Sequence, residues 1–158
     1  MTSKLCSESA LAALGRRLRR QGKRIVFTNG CFDLLHAGHV DYLARARRFG
    51  HVLVVGLNSD RSVRKLKGRG RPVYSAADRA RLLTALACVD YVVVFDQETP
   101  LRLICVLRPH VLVKGADWGK HEIAGNDEVL KWGGIVRLVP LLKGRSTTQT
   151  IRKVRRCV

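Results

Sequence analysis

Thr28-Asn29-Gly30-Cys31-Phe32-Asp33-Leu34-Leu35-His36-Ala37-Gly38-His39 is the stretch whose reading decides the fold of this 158-residue chain. It follows Ile25-Val26-Phe27, a β-branched and aromatic trio of the kind a buried parallel strand carries, so residues 24–28 read as a strand. It runs into residues 39–49, where Val40, Leu43 and Ala44 fall at i, i+3, i+4 and Arg45, Arg47 and Arg48 lie mostly on the outer side, as in a helix. His36 and His39 are thereby set at a strand-to-helix turn. A helix start offers free backbone N–H groups and the positive pole of its dipole, which attract phosphate, and Gly38 lets a phosphate approach the backbone. Two imidazoles there can donate hydrogen bonds to a phosphoryl oxygen and, when protonated, offset charge that builds up in phosphoryl or nucleotidyl transfer. The competing readings are two structural histidines or two metal ligands. The zinc pair on a helix is H-E-x-x-H at i, i+4, and no Cys, Glu or further His follows here at ligand spacing, so no protein metal site is expected.

Outward from this turn the chain alternates strands and helices. Residues 5–21 read as a helix with Leu5, Leu11, Leu14 and Leu18 on an incomplete stripe, ended by Gln21-Gly22-Lys23. Residues 51–57 read as a second buried strand that runs straight into Asn58-Ser59-Asp60. Residues 65–72, Lys-Leu-Lys-Gly-Arg-Gly-Arg-Pro, hold too many glycines and charges to pack and read as a surface loop, a flexible basic flap that closes on phosphates. Ser75-Ala76-Ala77-Asp78 has capping-box spacing and opens a helix, and residues 91–95 read as a third strand. Thr99-Pro100 starts a helix that Pro109 closes, residues 111–114 make a fourth strand, 127–132 a short helix and 135–139 a fifth strand. The stretch 115–121 resembles a P-loop but has three residues between its glycines and no Ser or Thr after Lys120, so the match fails. Ser146 and Gln149 form a capping box for a terminal helix, and three hydroxyls behind Gly144 suit a triphosphate as well.

This order predicts an α/β fold: a Rossmann-like open parallel sheet of about five strands with helices on both faces, binding its ligand beyond the carboxyl ends of the strands. The length suits a single domain, residues 1–158, with an N-terminal helix within 1–23 and a core of 24–158 that closes on a C-terminal helix. A G-x-G-x-x-G after the first strand is absent, which counts against a dinucleotide enzyme. No apolar run approaches the ~18 residues of a membrane span, and no signal-peptide pattern opens the chain, so a cytoplasmic protein is expected. Five scattered cysteines without a C-x-x-C argue for reduced thiols. The net charge of +18, concentrated at residues 16–24, 61–71 and 143–156, raises the question of nucleic acid. Aromatics are sparse and not interleaved with the basic clusters, and no nucleic-acid motif is present. The positive field is therefore read as one that gathers small phosphorylated substrates.

The longer word Asn-Gly-Cys-Phe-Asp-Leu-Leu-His-Ala-Gly-His resembles the His-x-Gly-His signature of the cytidylyltransferase-like nucleotidyltransferases, relatives of class I aminoacyl-tRNA synthetases. The likeness continues in order through Asn58-Ser59-Asp60, Lys65-x-Lys67, Arg71-Pro72-Val73, Arg79, Val89-Asp90, Val113-Lys114-Gly115 with Asp117, and Ser146-Thr147-Thr148. Within the superfamily the likeness is to the heptose 1-phosphate adenylyltransferases, usually fused to a sugar kinase. That resemblance implies transfer of AMP from ATP to a heptose 1-phosphate, with Mg²⁺ bridging phosphate oxygens, a sugar kinase in the same pathway and a homo-oligomer. It implies that His36 and His39 hold the α- and β-phosphate oxygens and that Lys65 and Lys67 also touch phosphates. Thr28, Gly30, Cys31, Phe32 and Gly38 would line the triphosphate's path, Ser146, Thr147 and Thr148 would cap it, and Lys114 and Asp117 would lie near the nucleoside. Asp33, Asn58, Lys65 and Arg71 would meet the acceptor. Two departures matter. Leu141 stands where glycerol-phosphate cytidylyltransferases carry an Arg, which disfavours that substrate pair, and Ala77 stands where many relatives have Glu. The alternatives are a CTP-dependent enzyme for a polyol or amino-alcohol phosphate, and a nucleic-acid-binding protein that keeps the fold without the chemistry.

Overall fold

Alternation along two central strands divides the core into two layers. Ile25 and Phe27 of β2 (Ile25–Gly30) and Val52 and Val54 of β3 (Val52–Asn58) face one side, where they pack with Leu11, Leu14 and Leu18 of α1 (Glu8–Arg20) and Leu103, Ile104 and Leu107 of α5 (Leu101–Leu107). Val26 of β2 and Leu53, Val55 and Leu57 of β3 face the other, against Leu43 and Ala46 of α2 (Ala37–Arg47) and Leu83 of α4 (Ala76–Ala85). Strands buried on both faces by helices are what parallel βαβ connections produce.

The computed structural model describes residues 4–117, 123–142 and 144–156; Lys143, Cys157 and residues 118–122, including part of the failed P-loop match, lie outside them. With β1 (Leu5–Cys6), β4 (Tyr91–Phe95), β5 (Val111–Gly115) and β6 (Ile135–Val139), the described strands form one six-stranded sheet in the order β1-β4-β3-β2-β5-β6. Every pairing in it is parallel. The chain runs from β2 outward to one edge and returns to β5 and β6 on the other side, so the strand order reverses between β2 and β5. An open α/β sheet forms its ligand crevice at such a reversal, beyond the carboxyl ends of the strands. The remaining helices are α3 (Asp60–Lys67), α6 (Asn126–Lys131) and α7 (Thr147–Arg156).

The α/β architecture matches the expectation, with three corrections. The sheet has six strands rather than about five, because Leu5–Cys6 pairs with Val92 and Val93 instead of starting the first helix. Two residues carry no readable period, and long-range bonds hold them: Val92 N–H donates to Lys4 O and the Lys4 ammonium to Leu86 O. Residues 65–67 are not a loop but the last turn of α3, which escapes an apolar-stripe reading because Val63 is its one fully buried hydrophobic residue. Its ends stabilise it instead: Ser59 caps the Ser62 N–H, Asp60 sits in the first turn and Arg64, Lys65 and Lys67 in the last. The third correction concerns the flap, which is fastened to the core through Arg71 as described below. Cys6, Cys31, Cys88 and Cys105 are free thiols. No helix of the described residues is long and apolar enough to cross a membrane.

Candidate active site

The turn from β2 into α2 puts the two histidines face to face. His36 occupies the N-cap of α2 with extended backbone, and its carbonyl accepts the His39 N–H at 2.9 Å and the Val40 N–H at 3.2 Å. His39 then lies one turn along the same face, and the imidazoles stack with centroids 3.8 Å apart and planes 19° off parallel. Phe32 meets the His39 ring edge-on, centroids 5.4 Å apart. To do so it adopts φ 45°, and Leu34 adopts φ 46°, a left-handed conformation that costs a non-glycine residue on the order of 1–3 kcal/mol. Gly30 makes room, since a Cβ there would lie 3.1 Å from the Phe32 ring. Gly38 is equally constrained: a Cβ would stand 3.0 Å from the His36 ring and 3.2 Å from Arg145 Cβ.

Both imidazoles are held neutral. Burial, then the neighbouring His36, draw the His39 pKa down to about 4, while Asp33 pulls weakly the other way. Burial and then Arg145 lower His36. The Nδ1 atoms of both rings are buried with no hydrogen-bond partner. A buried polar atom without a partner is costly to keep, and two of them at a helix start mark a place prepared for a ligand.

Around the pair, side chains tie the strand ends together. The fully buried Arg79 guanidinium donates to Cys31 O at 2.6 Å, Asn58 O at 2.9 Å, Tyr74 O at 3.0 Å and the Asp60 carboxylate at 2.7 Å. It joins the ends of β2 and β3 to α3, α4 and the segment just past the flap. Asp33, also buried, accepts from Arg71 Nε at 2.6 Å, from the Val73 N–H at 2.9 Å and from the Tyr74 N–H at 3.2 Å. Burial pushes its carboxyl up, but these donors outweigh it and hold Asp33 below the usual carboxylate range. Across the β2/β5 reversal, the Lys114 ammonium donates to Asn29 Oδ1 at 2.5 Å. Burial brings the Lys114 pKa down to about 8 against the opposing pull of Asp117 and Cys31. Beneath it, Tyr42 hydrogen-bonds Thr28 at 2.8 Å and donates to Val113 O at 3.2 Å.

The structure thus brings Gly30, Cys31, Phe32, His36, Gly38 and His39 into one turn, with Lys114 and Asn29 in the adjoining crevice. Lys67 belongs here too, since with Arg79 and Arg71 it opposes the effect of burial in raising the Cys31 thiol pKa. Other expected residues are engaged elsewhere. Thr28 is fully buried and its hydroxyl is bonded to Tyr42, so its side chain supports the floor instead of lining a phosphate path. Asp33 and Arg71 hold each other, and Asn58 donates its amide to Ser62 Oγ at 2.9 Å. Lys65 points at Glu98, 3.6 Å away. Ser146 Oγ caps the Gln149 N–H of α7, and Thr147 Oγ1 donates to Asp33 O at 2.6 Å, docking α7 on the histidine turn, while Thr148 is exposed. Arg79 was noted in the sequence only as part of a family word; its i+3 and i+4 neighbours give no sign that a charged residue is buried.

No group of three or more His, Cys, Asp or Glu among the described residues gathers to hold a metal. Protein-held Mg²⁺ takes one or two carboxylates, and the carboxylate of the turn, Asp33, has its oxygens engaged by Arg71, Val73 and Tyr74. Among the described residues, the turn therefore offers no unengaged carboxylate to a magnesium ion.

The model of the family described as cytidylyltransferase-like matches residues 27–156, from the strand that feeds the histidine turn to the end of α7. The chain belongs to the cytidylyltransferase-like family. It is 56% identical to the bifunctional protein HldE of Geotalea uraniireducens over 153 residues, 97% of this chain and 31% of that one. It is 58% identical to the bifunctional protein HldE of Syntrophotalea carbinolica over 136 residues, 86% of this chain and 28% of that one. The chain thus spans less than a third of the length of these curated relatives. Among solved structures it is similar to the lipopolysaccharide core biosynthesis protein from Thermoplasma volcanium, with a TM-score of 0.64 and 26% identity over 78% of this chain and 100% of that one.

Proposed function

We propose that this chain is a nucleotidyltransferase that moves AMP from ATP to a heptose 1-phosphate, giving ADP-heptose and pyrophosphate for lipopolysaccharide or related glycans. The observation that carries the reading is the stacked, neutral His36–His39 pair at the first turn of α2, its Nδ1 atoms unpartnered beside the strand-order reversal. The heptose acceptor follows from the resemblance in the sequence and agrees with the likeness to proteins described as HldE and as a lipopolysaccharide core biosynthesis protein. In this reaction an oxygen of the acceptor's phosphate attacks the α-phosphorus. One P–O bond forms as the bond to the α,β-bridging oxygen breaks, and the electron pair leaves with pyrophosphate. The attacking phosphate is already ionised at neutral pH, so no general base is required, in keeping with a turn whose one carboxylate is locked to Arg71. Catalysis then consists of positioning and charge stabilisation. Neutral imidazoles donate N–H groups to phosphoryl oxygens, and binding a polyanion raises their proton affinity so that they can take up charge as it develops. Lys67, at the end of α3, adds a cation whose charge reaches Cys31, and Lys114 adds one at the crevice. The proposal includes a cytoplasmic setting, a homo-oligomer, nucleotide-borne Mg²⁺ and a sugar kinase that supplies the acceptor.

A second reading, a cytidylyltransferase for a polyol or amino-alcohol phosphate, draws on the family as a whole. The apolar Leu141, where the glycerol-phosphate branch has Arg, speaks against it. Pyrophosphate release measured with ATP or CTP against heptose 1-phosphate, glycerol 3-phosphate and phosphoethanolamine, with Mg²⁺, separates the two. Turnover is expected with ATP and the heptose phosphate alone. A CTP-dependent signal would move the chain to the second reading, and silence with every pair would return attention to the +18 charge and to nucleic acid.

A further inference from the structure

Both ends of the parallel sheet are basic, and only one of them holds the histidine turn. At the carboxyl end, Arg145 and Lys153 share a cleft with His36, so their charge falls on the site. At the amino end, α1, α2 and α5 hand the chain over to β2, β3 and β5, and stretches 16–24, 47–51 and 107–110 carry cations and no acidic residue. Contacts join these stretches into one face. The Arg24 N–H donates to His51 Nδ1 at 2.9 Å, and Arg24 O accepts the His51 N–H at 2.8 Å. The Ile25 N–H donates to His110 Nδ1 at 3.0 Å, and the Arg19 guanidinium donates to Leu107 O at 2.6 Å and Arg108 O at 3.2 Å.

The charge of this face is uncompensated. Arg20, Lys23, Arg24, Arg48 and Arg108 are exposed, and among the described residues none of them takes part in an ion pair. The acidic residue at the start of β4, Asp90, already accepts the Leu53 N–H and pairs with Arg47. Burial, then Arg108 and Arg16, lower the Arg19 pKa, and burial, then Arg19 and Arg24, lower that of His110, so cations here press on one another. Substrate capture does not account for them. Strand β2 spans six residues, roughly 20 Å, and exposed charges farther from the site than the Debye length of about 8 Å are largely screened. No large exposed hydrophobic side chain lies in the three stretches, so the face lacks the apolar core of a protein–protein interface. All of its exposed, unpaired cations named above except Lys23 are arginines, whose forked guanidinium matches phosphate oxygens. The stretches hold no exposed aromatic ring to stack on an unpaired base, which favours a duplex over a single strand.

We propose that the amino end of the sheet is a second binding surface, which takes double-stranded nucleic acid by its phosphate backbone without reading bases. The carboxyl end stays open to small substrates, so the inference goes beyond nucleotidyl transfer and stands independently of it.

The test is fluorescence anisotropy of a labelled duplex of about 20 base pairs, titrated at several salt concentrations with wild type and with Arg20→Gln, Arg24→Gln and Arg48→Gln combined. For wild type, the logarithm of the binding constant should fall against the logarithm of salt with a slope of about −4 to −5. The triple variant should flatten that slope by about 2 to 3 and weaken the duplex about ten-fold or more, with pyrophosphate release unchanged. Arginine-to-lysine substitution at the same three positions keeps the charge and should bind within a few-fold of wild type, which separates lost contacts from lost fold. Saturating ATP should leave the duplex bound. Displacement of the duplex by ATP, or wild-type duplex affinity in the triple glutamine variant, overturns the surface. Tighter binding of a single strand overturns the backbone reading, and a wild-type protein that binds polyglutamate or nothing at all in place of the duplex overturns the partner.

Discussion

His36 and His39 cannot both carry a charge with their half-buried rings 3.8 Å apart, and this shapes what each residue contributes. Under the proposed reaction, His39 donates to a phosphoryl oxygen more strongly in the transition state than in the ground state. His39→Ala should then lower kcat by about 10²-fold or more while ATP KM changes little. A variant with wild-type kcat in steady-state assays would remove the role. The same residue links stability to pH. His39 binds its proton with a pKa of about 4 folded and 6.5 unfolded, so between those values the unfolded chain holds more protons. Stability should therefore fall as pH drops from 6.5 towards 4, by up to roughly 3 kcal/mol from this group. Denaturant titrations across that range should show a shallower pH dependence in His39→Asn. The histidine turn was legible at this scale, because His-x-Gly-His sits between a strand-like and a helix-like run. Which of its neighbours are already engaged was not. Thr28, Asp33 and Asn58 are polar residues at or just beyond strand ends, and only the folded structure shows their contacts with Tyr42, Arg71 and Ser62.

The elements that hold the turn are joined by a few buried polar groups more than by hydrophobic area. Arg79 of α4 reaches Cys31 after β2, Asn58 at the end of β3, Tyr74 just past the flap and Asp60 in α3, so four segments share one guanidinium. Arg79→Met would leave three carbonyls, of Cys31, Asn58 and Tyr74, and the Asp60 carboxylate without their donor. It should destabilise the protein by about 3–5 kcal/mol and lower Tm by roughly 10 °C, measured by calorimetry. A Tm within a degree or two of wild type would show that these segments hold together without it. Helix α3 and the flap illustrate why the sequence misreads this level. A basic eight-residue helix with one fully buried hydrophobic residue has no stripe to read, and the anchor of its downstream loop, Asp33, lies 38 residues from Arg71.

Over the whole molecule, the parallel sheet gathers the carboxyl ends of β2, β3 and β5 on one side, and the chain carries a net charge of +18. Such a field concentrates anionic substrates and is screened by salt. Raising ionic strength from about 0.05 to about 0.5 M should lower kcat/KM for ATP several-fold, chiefly through KM. A salt-independent kcat/KM would show that the charge serves something other than substrate capture.

The sequence by itself determined the α/β alternation, the histidine turn and the family, because strand and helix periodicity and a contiguous motif are local properties of the chain. Tertiary structure alone decided the edge strand at Leu5–Cys6, the burial of Arg79, the locking of Asp33 onto Arg71 and the approach of Arg145 and Lys153 to His36. Each of these depends on partners tens of residues away, and no local period records which distant groups a polar side chain will meet once the sheet has closed.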